Sequence, residues 1–345
     1  MACRQAVAGA LPLKRMIRYL RHEQIDKTKW DACITASADN MVYALSWFLD
    51  VVAPGWQALV EEQAGEYVTV VPLPGTQKMG FPYLSQPYHT HQLGIFTTGQ
   101  SCPGVREKML ELATGRYKFI HSYRFNKSDT ASLEQLQEKY DLVARYTRYL
   151  KLDKPYPELY KNYTRDRKMN LKRAQRANLS MFESDDIEPL IEHFKKHIEH
   201  KVVGGVAEST YQMLRDLFRV MQERGVAQLI YTTSGGEVNA GCLFFKYNNV
   251  ISYAFNSADE EGRVANGRTL VLDEIIRQHA GTGYTLDFES PMIEQIEHFY
   301  ASFGAHRVKY FALRHNALPL YVKIIRNLRM KVYRTFFASG VAEEV

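Results

Sequence analysis

The stretch YTLDFESPMIEQIEHFYASFG, Tyr284–Gly304, decides how this chain is read. A short apolar strand ends in two acids, Asp287 and Glu289. Pro291 opens a helix that carries His298, Phe299 and Tyr300 and stops at Gly304. Working back from it, Gly267–Ala280 and Glu208–Glu223 have helical apolar spacing, the latter through Tyr211, Leu214, Leu217, Phe218 and Met221. Val226–Thr232, Glu237–Tyr247 and Val250–Asn256 read as strands. Gly235-Gly236 and Asn248-Asn249 separate them as turn residues, so they form an antiparallel meander. Downstream, Arg307–Leu313 reads as a strand and Leu318–Phe337 as a terminal helix.

The first half follows a similar plan. Trp30–Val60 reads as mostly helical, with strands at Tyr67–Pro72, Gly80–Gln86 and Gln92–Phe96. A helix over Pro103–Ala113 ends at Gly115. A strand follows at Tyr117–Arg124 and a helix at Ala131–Tyr149. The strand-rich EYVTVVPLPGTQKMGFPYLSQP parallels EVNAGCLFFKYNNVISYAFNSA, a repeat of plan more than of sequence. Pro155 and Pro157 mark the joint, which divides the chain into residues 1–155 and 156–345. A length of 345 residues suits two domains.

At 46% hydrophobic and 24% charged residues, the composition is that of a globular protein with ample core, and no apolar run is long enough to span a membrane. The N-terminal MACRQAVAGALPLKRM reads as a frayed start rather than a signal peptide. Cys3, Cys33, Cys102 and Cys242 are scattered without a CxxC pair, which points to reduced structural thiols and a cytoplasmic location. The net charge of +6 is unevenly spread. Lys161–Arg176 holds seven bases and one acid, and His298–Ala342 holds no acid. Such basic surfaces suit a phosphate-bearing partner, namely a CoA-like cofactor, a nucleotide-linked substrate, tRNA or an anionic membrane surface; solvated helix faces explain them equally well.

The order of these parts resembles a GNAT-like acyltransferase. Over about Trp30–Leu320, the double arrangement is similar to Fem-type aminoacyltransferases and their acetyltransferase relatives in bacteria. The segments that carry the likeness are WFLDVVAPGWQALV, LSQPYHTHQLGIF, RDRKMNLKRAQRANL and the closing YTLDFESPMIEQIEHFYASFGAHRVKYFALRHNALP. The resemblance implies an α/β chain of two tandem GNAT-like domains, each a mixed, mostly antiparallel sheet flanked by helices. The first would recognise substrate; the second would bind the donor and catalyse. It implies transfer of an acetyl, longer acyl or aminoacyl group to an amine, such as a small molecule or a peptidoglycan-precursor-like substrate. The donor is acyl-CoA or, less favoured for want of a long helical hairpin, aminoacyl-tRNA. The alternative is a non-catalytic protein of this fold that docks a phosphate-rich or membrane partner through its basic helices.

Carried over residue by residue, the resemblance makes Tyr300, four residues before Gly304, the acid that protonates the leaving group. A Tyr so placed serves equally well as a core residue. Asp287 and Glu289, two apart on a strand end, share a face and supply a base for the attacking amine; one of them capping the next helix is the plain alternative. The loop EGRVANGRT brings Arg263, Asn266, Gly267, Arg268 and Thr269 to a helix N-terminus, where free amides and the helix dipole favour a diphosphate. Asn266 and Arg268 stand where the family pattern has glycines, so a plain loop is the competing reading. Gln86, Tyr88, His89, His91 and Gln92 form a polar cluster suited to substrate recognition, with either histidine as a possible base. Arg165, Lys168, Lys172 and Arg176 make a basic stripe on one helix face, and Lys168 and Lys172 are its candidate substrate contacts. His193 and His197 have i, i+4 spacing, but the sequence shows no third ligand, so no metal is assigned.

Overall fold

A computed structural model describes residues 16–99, 104–202 and 205–337. The N-terminal MACRQAVAGALPLKR, Cys3, Cys102 and the start of the helix expected at Pro103 lie outside them. The chain divides into two compact units, one of the residues up to Arg145 with Lys309–Ile324, the other of Tyr146–Val308 with the chain from Ile325.

The first unit begins with β1 (Met16–Leu20), α1 (Lys27–Ala36), α2 (Ser46–Val52), β2 (Gln57–Gln63), β3 (Glu66–Leu73), β4 (Gly75–Lys78), β5 (Phe81–Leu84) and β6 (Phe96–Thr97). It continues with α3 (Val105–Arg116), β7 (Phe119–Arg124) and α4 (Thr130–Glu134). Strands β1, β2, β3 and β6 form one antiparallel sheet. Antiparallel β4–β5 is joined in parallel to β7. The helix expected across Ala131–Tyr149 is instead the short α4 followed by β8 (Asp141–Lys151). The β8 sequence is rich in Val, Tyr and Thr, residues that pack well on a pleated surface. Likewise, the helix expected through Val60 gives way to β2 at Gln57, and Gly115 lies inside α3 rather than ending it.

The second unit follows with α5 (Tyr156–Lys161), α6 (Arg165–Arg176), β9 (Ser180–Glu183), α7 (Glu188–His197), α8 (Glu208–Glu223), β10 (Ala227–Ser234), β11 (Glu237–Tyr247) and β12 (Val250–Ala258). Then come α9 (Glu260–Val264), α10 (Gly267–Gln278), β13 (Thr285–Asp287) and α11 (Glu294–Ala301), followed by β14 (His306–Asn316) and α12 (Leu320–Phe337), of which Lys309–Ile324 belongs to the first unit. The meander is present: β9, β10, β11 and β12 pair antiparallel in sequence order. β13 adds to β12 in parallel and to β8 antiparallel. A parallel neighbour requires a crossover, and α9–α10 supplies it.

Helices cover both faces of this sheet. Ile230, Cys242, Phe244, Ile251 and Tyr253 pack with Leu171 of α6, with Val271, Leu272 and Ile275 of α10, and with Tyr300 of α11. On the opposite face α7 seats its Leu190 amide on the Tyr231 hydroxyl at 3.1 Å, and α8 buries Leu214, Leu217, Phe218 and Met221. Each such large side chain contributes about 2 kcal/mol through removal from water.

Two glycines make opposite demands. A Cβ on Gly262 would overlap the backbone carbonyl of Asn239, which cannot swing away. A Cβ on Gly115 meets nothing within 4 Å. Gly262→Ala is therefore expected to lower unfolding stability by about 2–3 kcal/mol. Gly115→Ala should raise it by about 0.5–1 kcal/mol, because alanine is the better residue inside a helix. Urea unfolding of both variants checks this, and equal effects would refute the packing assigned to the α9 turn.

Candidate functional site

The site starts from a gap in the second unit's sheet. β12 and β13 pair only over Val250–Ser252 and Thr285–Asp287. Beyond that point β13 ends while β12 runs on to Ala258, so the edge of β12 from Tyr253 onward has no partner on β13. The first turn of α10, α11 and the chain leaving β13 supply side chains around this edge.

Asp287 and Glu289 do not share a strand face. β13 ends at Asp287, and Glu289 takes a left-handed conformation, φ 45°, which is unusual for a residue with a side chain. Asp287 is buried and its Oδ1 accepts from the Thr147 hydroxyl at 2.7 Å and the Glu289 amide at 2.9 Å. Asp287 thus holds the turn that sets Glu289. Neither acid caps the following helix, whose N-cap is Ile293. Burial pushes the Glu289 carboxyl up to about 8. A carboxyl that titrates near neutrality on strained backbone marks a candidate functional site.

Tyr300 lies in the core of the same unit. Its ring stacks on Phe288 at 4.8 Å and meets Tyr253 edge-on at 6.0 Å. Burial raises its hydroxyl far above the ordinary tyrosine value; Arg268 opposes that rise, while Cys242 and Glu289 add to it. Tyr300 therefore keeps its proton and shares one electrostatic environment with Glu289, Arg268 and Cys242. Gly304 has φ 85°, the left-handed stop its spacing predicts. Cys242, 3.4 Å from the Tyr253 hydroxyl, has its thiol pushed up to about 11 by burial, which makes it a poor nucleophile. Cys33 is likewise a free, buried thiol, pushed up to about 12.

The α9–α10 loop differs from the expected phosphate cradle. Gly262 and Gly267 serve close packing, since a Cβ on Gly267 would lie 2.6 Å from Thr232 Oγ1. Asn266 precedes α10 in a left-handed conformation, φ 62°. Arg263 donates to the Ala258 carbonyl at 2.9 Å. Arg268 donates to Asn256 Oδ1 on β12 at 2.8 Å and lies over the Phe299 ring, 5.6 Å from its centre. Thr269 is buried, and its hydroxyl accepts from Arg167.

Arg167 is the residue that sequence reading missed. It is buried, donates to Ser302 Oγ at 2.8 Å and to Thr269 Oγ1 at 2.5 Å, and stacks over Phe299 and Phe303. Burial, with help from Arg268, lowers its guanidinium to about 10. Among the described residues no carboxylate forms an ion pair with Arg167 or Arg268. Its register was the available signal: Arg167, Leu171 and Ala174 fall on one helix face, and the last two are apolar.

Other candidates fall elsewhere. Lys172 is exposed on α6, and half-buried Lys168 donates to the Lys161 carbonyl at 2.9 Å. Gln86, Tyr88, His89, His91 and Gln92 belong to the first unit. There Gln86 accepts from the Arg124 amide at 3.1 Å, Tyr88 is exposed and His89 is left-handed. The reading of His91 as a base needs correction. Burial, then the charge of Arg124, pushes its imidazole down to about 3, so it lacks the basicity of an exposed histidine. Gln92 is fully buried, and its amide makes no hydrogen bond. The fold also supplies what the His193/His197 spacing lacked, because Asp259 lies beside both.

Residues 161–290 match the family model described as an acetyltransferase (GNAT) domain. Among solved structures, FemX is similar at a TM-score of 0.61 and 13% identity, over 90% of this chain and 100% of that one. A tandem GNAT protein from the clavulanic acid biosynthesis pathway gives a TM-score of 0.54 at 14% identity, over 88% and 99%. Comparison with curated proteins gives no match. Residues 161–290 thus match a GNAT domain, and over nearly all of its length the chain shares its fold with FemX and with that tandem GNAT protein.

The raised Glu289 carboxyl has a consequence for stability. Its folded value of about 8 lies above the ordinary 4.5, so the folded state holds the proton more tightly. The associated stability is complete below about pH 4.5 and is lost as pH rises through about 8. Glu289→Gln removes this dependence. Between about pH 5 and 9 the urea midpoint of the wild type should fall relative to that of the variant. Parallel curves would show that Glu289 titrates normally.

Proposed function

We propose that this protein is an N-acyltransferase that moves an acyl group from an acyl-CoA, or from an aminoacyl carrier, to a substrate amine, with chemistry in the second unit. The observation that carries this reading is the near-neutral Glu289 carboxyl in one environment with the protonated Tyr300 hydroxyl and the Arg268 guanidinium. The α10 N-terminus fits an anionic donor. In its first turn the Thr269 and Leu270 amides bond the Asn266 carbonyl, which leaves those of Gly267 and Arg268 without a helical acceptor; the helix dipole favours anions, and Arg263, Arg268 and Arg167 lie near it. An acyl-CoA supplies an activated thioester carbonyl.

The edge of β12 that β13 does not cover offers backbone groups that can orient and polarise this carbonyl. Glu289 takes the proton that the attacking amine must lose as its nitrogen bonds to the acyl carbon. As the carbon–sulfur bond, or the carbon–oxygen bond of an ester donor, breaks, Tyr300 donates its proton to the leaving atom. Arg268, which favours the phenolate form, steadies the charge on Tyr300 until solvent returns the proton. Asp287 acts as a positioning residue through the Glu289 amide.

A second reading, docking on an anionic membrane surface, is favoured by α12. It exposes Leu320, Tyr321, Ile324, Ile325 and Leu328 in a segment whose sequence contains Lys323 and Arg326 and no acid. Among the described residues no helix is long and apolar enough to cross a membrane.

Acetyl-CoA or a longer acyl-CoA is expected to raise the melting temperature saturably, because a ligand that binds only the native state stabilises it. A shift with aminoacyl-tRNA alone would transfer the donor role to that carrier. Absence of a shift with any of the three would overturn the reading. With a working donor and amine, kcat/KM should rise with pH to a plateau above about 8, and Glu289→Gln should lower it about 10²–10⁴-fold. Tyr300→Phe should reduce kcat with little change in donor affinity. Unchanged turnover in both variants would remove these residues from the mechanism.

A further inference from the structure

The geometry points to a divalent transition-metal site, with zinc as its first occupant, formed by His193, His197 and Asp259. The histidines are one turn apart on α7, and their rings lie 4.7 Å from centre to centre. Asp259 follows β12 and is the N-cap of α9. One donor atom from each of the three residues can be chosen so that all lie within 4.8 Å of one another.

Three observations converge on a cation. First, Asp259 divides its two oxygens: Oδ1 accepts from the Gly262 amide at 2.7 Å, while Oδ2 lies 3.4 Å from His193 Nε2. Second, His193 Nδ1 is 3.1 Å from Ser257 Oγ on β12, the kind of outer contact that orients a metal-binding imidazole. With Nδ1–H donating there, Nε2 presents its lone pair toward the carboxylate. Third, the His193 side chain is only 9% exposed, and the contact between its Nε2 and Asp259 is an ion pair without the geometry of a well-formed hydrogen bond. In that tautomer two lone pairs face each other and repel, and a metal ion placed against both reverses the sign.

The dimensions agree. Donor atoms of a tetrahedral zinc ion with bonds of about 2.1 Å stand about 3.4 Å apart, the observed His193 Nε2 to Asp259 Oδ2 separation. His197, half-buried at the end of α7, closes the third position by a side-chain rotation. Two imidazoles and one carboxylate suit zinc and its neighbours better than magnesium or calcium, which prefer oxygen donors. A fourth position is left for water. The ion would pin α7 to the turn that leads through α9 into Asn266 and α10. This site rests on its own geometry and stands or falls apart from the acyl-transfer reading.

The test uses the full chain, stripped with a chelator and titrated with zinc by calorimetry. Cobalt serves as a spectroscopic stand-in, because tetrahedral cobalt absorbs strongly in the visible. The expected result is one equivalent of zinc, a tetrahedral cobalt spectrum and a zinc-dependent rise in melting temperature. His197→Ala should weaken binding by roughly 100-fold or more. Asp259→Asn, which keeps an oxygen for the α9 cap, should do the same. Metal-free melting temperatures of both variants close to that of the metal-free parent would separate lost binding from lost folding. Absence of saturable binding, or binding that survives both substitutions, would overturn the site.

Discussion

A buried positive charge organises the second unit. Arg167 of α6 reaches Thr269 in the first turn of α10 and Ser302 just after α11, and its guanidinium lies against the rings of Phe299 and Phe303. A guanidinium in apolar surroundings must satisfy its donors locally or pay a large desolvation cost. Here it does so with two hydroxyls and aromatic faces rather than with a carboxylate. The consequence is geometric, because three helices converge on one side chain and two of them carry Arg268 and Tyr300. α11 is gripped from its other side as well, since Glu297 takes Arg148 at 3.0 Å and also pairs with Arg307. Tyr300 therefore lies on a helix whose position is set at both ends.

The sheet provides the second constraint. A parallel pair cannot be closed by a hairpin, so β12 must leave through α9 and α10 before the chain returns as β13. Because β13 is only three residues long, the pair separates as soon as it forms. The same shortness releases the chain into the left-handed turn at Glu289, which Thr147 and Asp287 hold by hydrogen bonds. An open strand edge, a helix N-terminus and a raised carboxyl thus have a common origin in where one strand stops.

How far the sequence revealed this depended on whether the signal was local. α8 and β11 have the boundaries their apolar periodicity and turn residues predict, and Gly304 is the stop that Tyr300's spacing required. Local pattern failed at β8, where a segment read as helix became a strand that pairs with β13. The site was legible in its types and less so in its roles. Tyr300 and Glu289 could be singled out from their positions around Pro291. That Asp287 serves the turn, and that Glu289 leaves the strand face, depends on a backbone angle no residue pattern encodes. Arg167 was hidden in a basic run whose exposed members drew attention, and Asp259 lies 62 residues from His197, beyond any spacing motif.

The electrostatic balance of the second unit follows from these placements. Glu289 carries little charge at neutral pH, Tyr300 carries none, and Cys242 stays a thiol. Arg167 remains charged under the same conditions, although burial and the nearby Arg268 guanidinium disfavour its charge. The unliganded site is accordingly positive in a low-dielectric setting, where like charges repel more strongly than in water. Such an arrangement is stabilised by an anion and by any reaction that moves negative charge toward Arg268. It also suits a base that is neutral when the site is empty. A carboxylate ionised there from the outset would pair with the arginines, and its pairing would have to be broken before it could accept a proton.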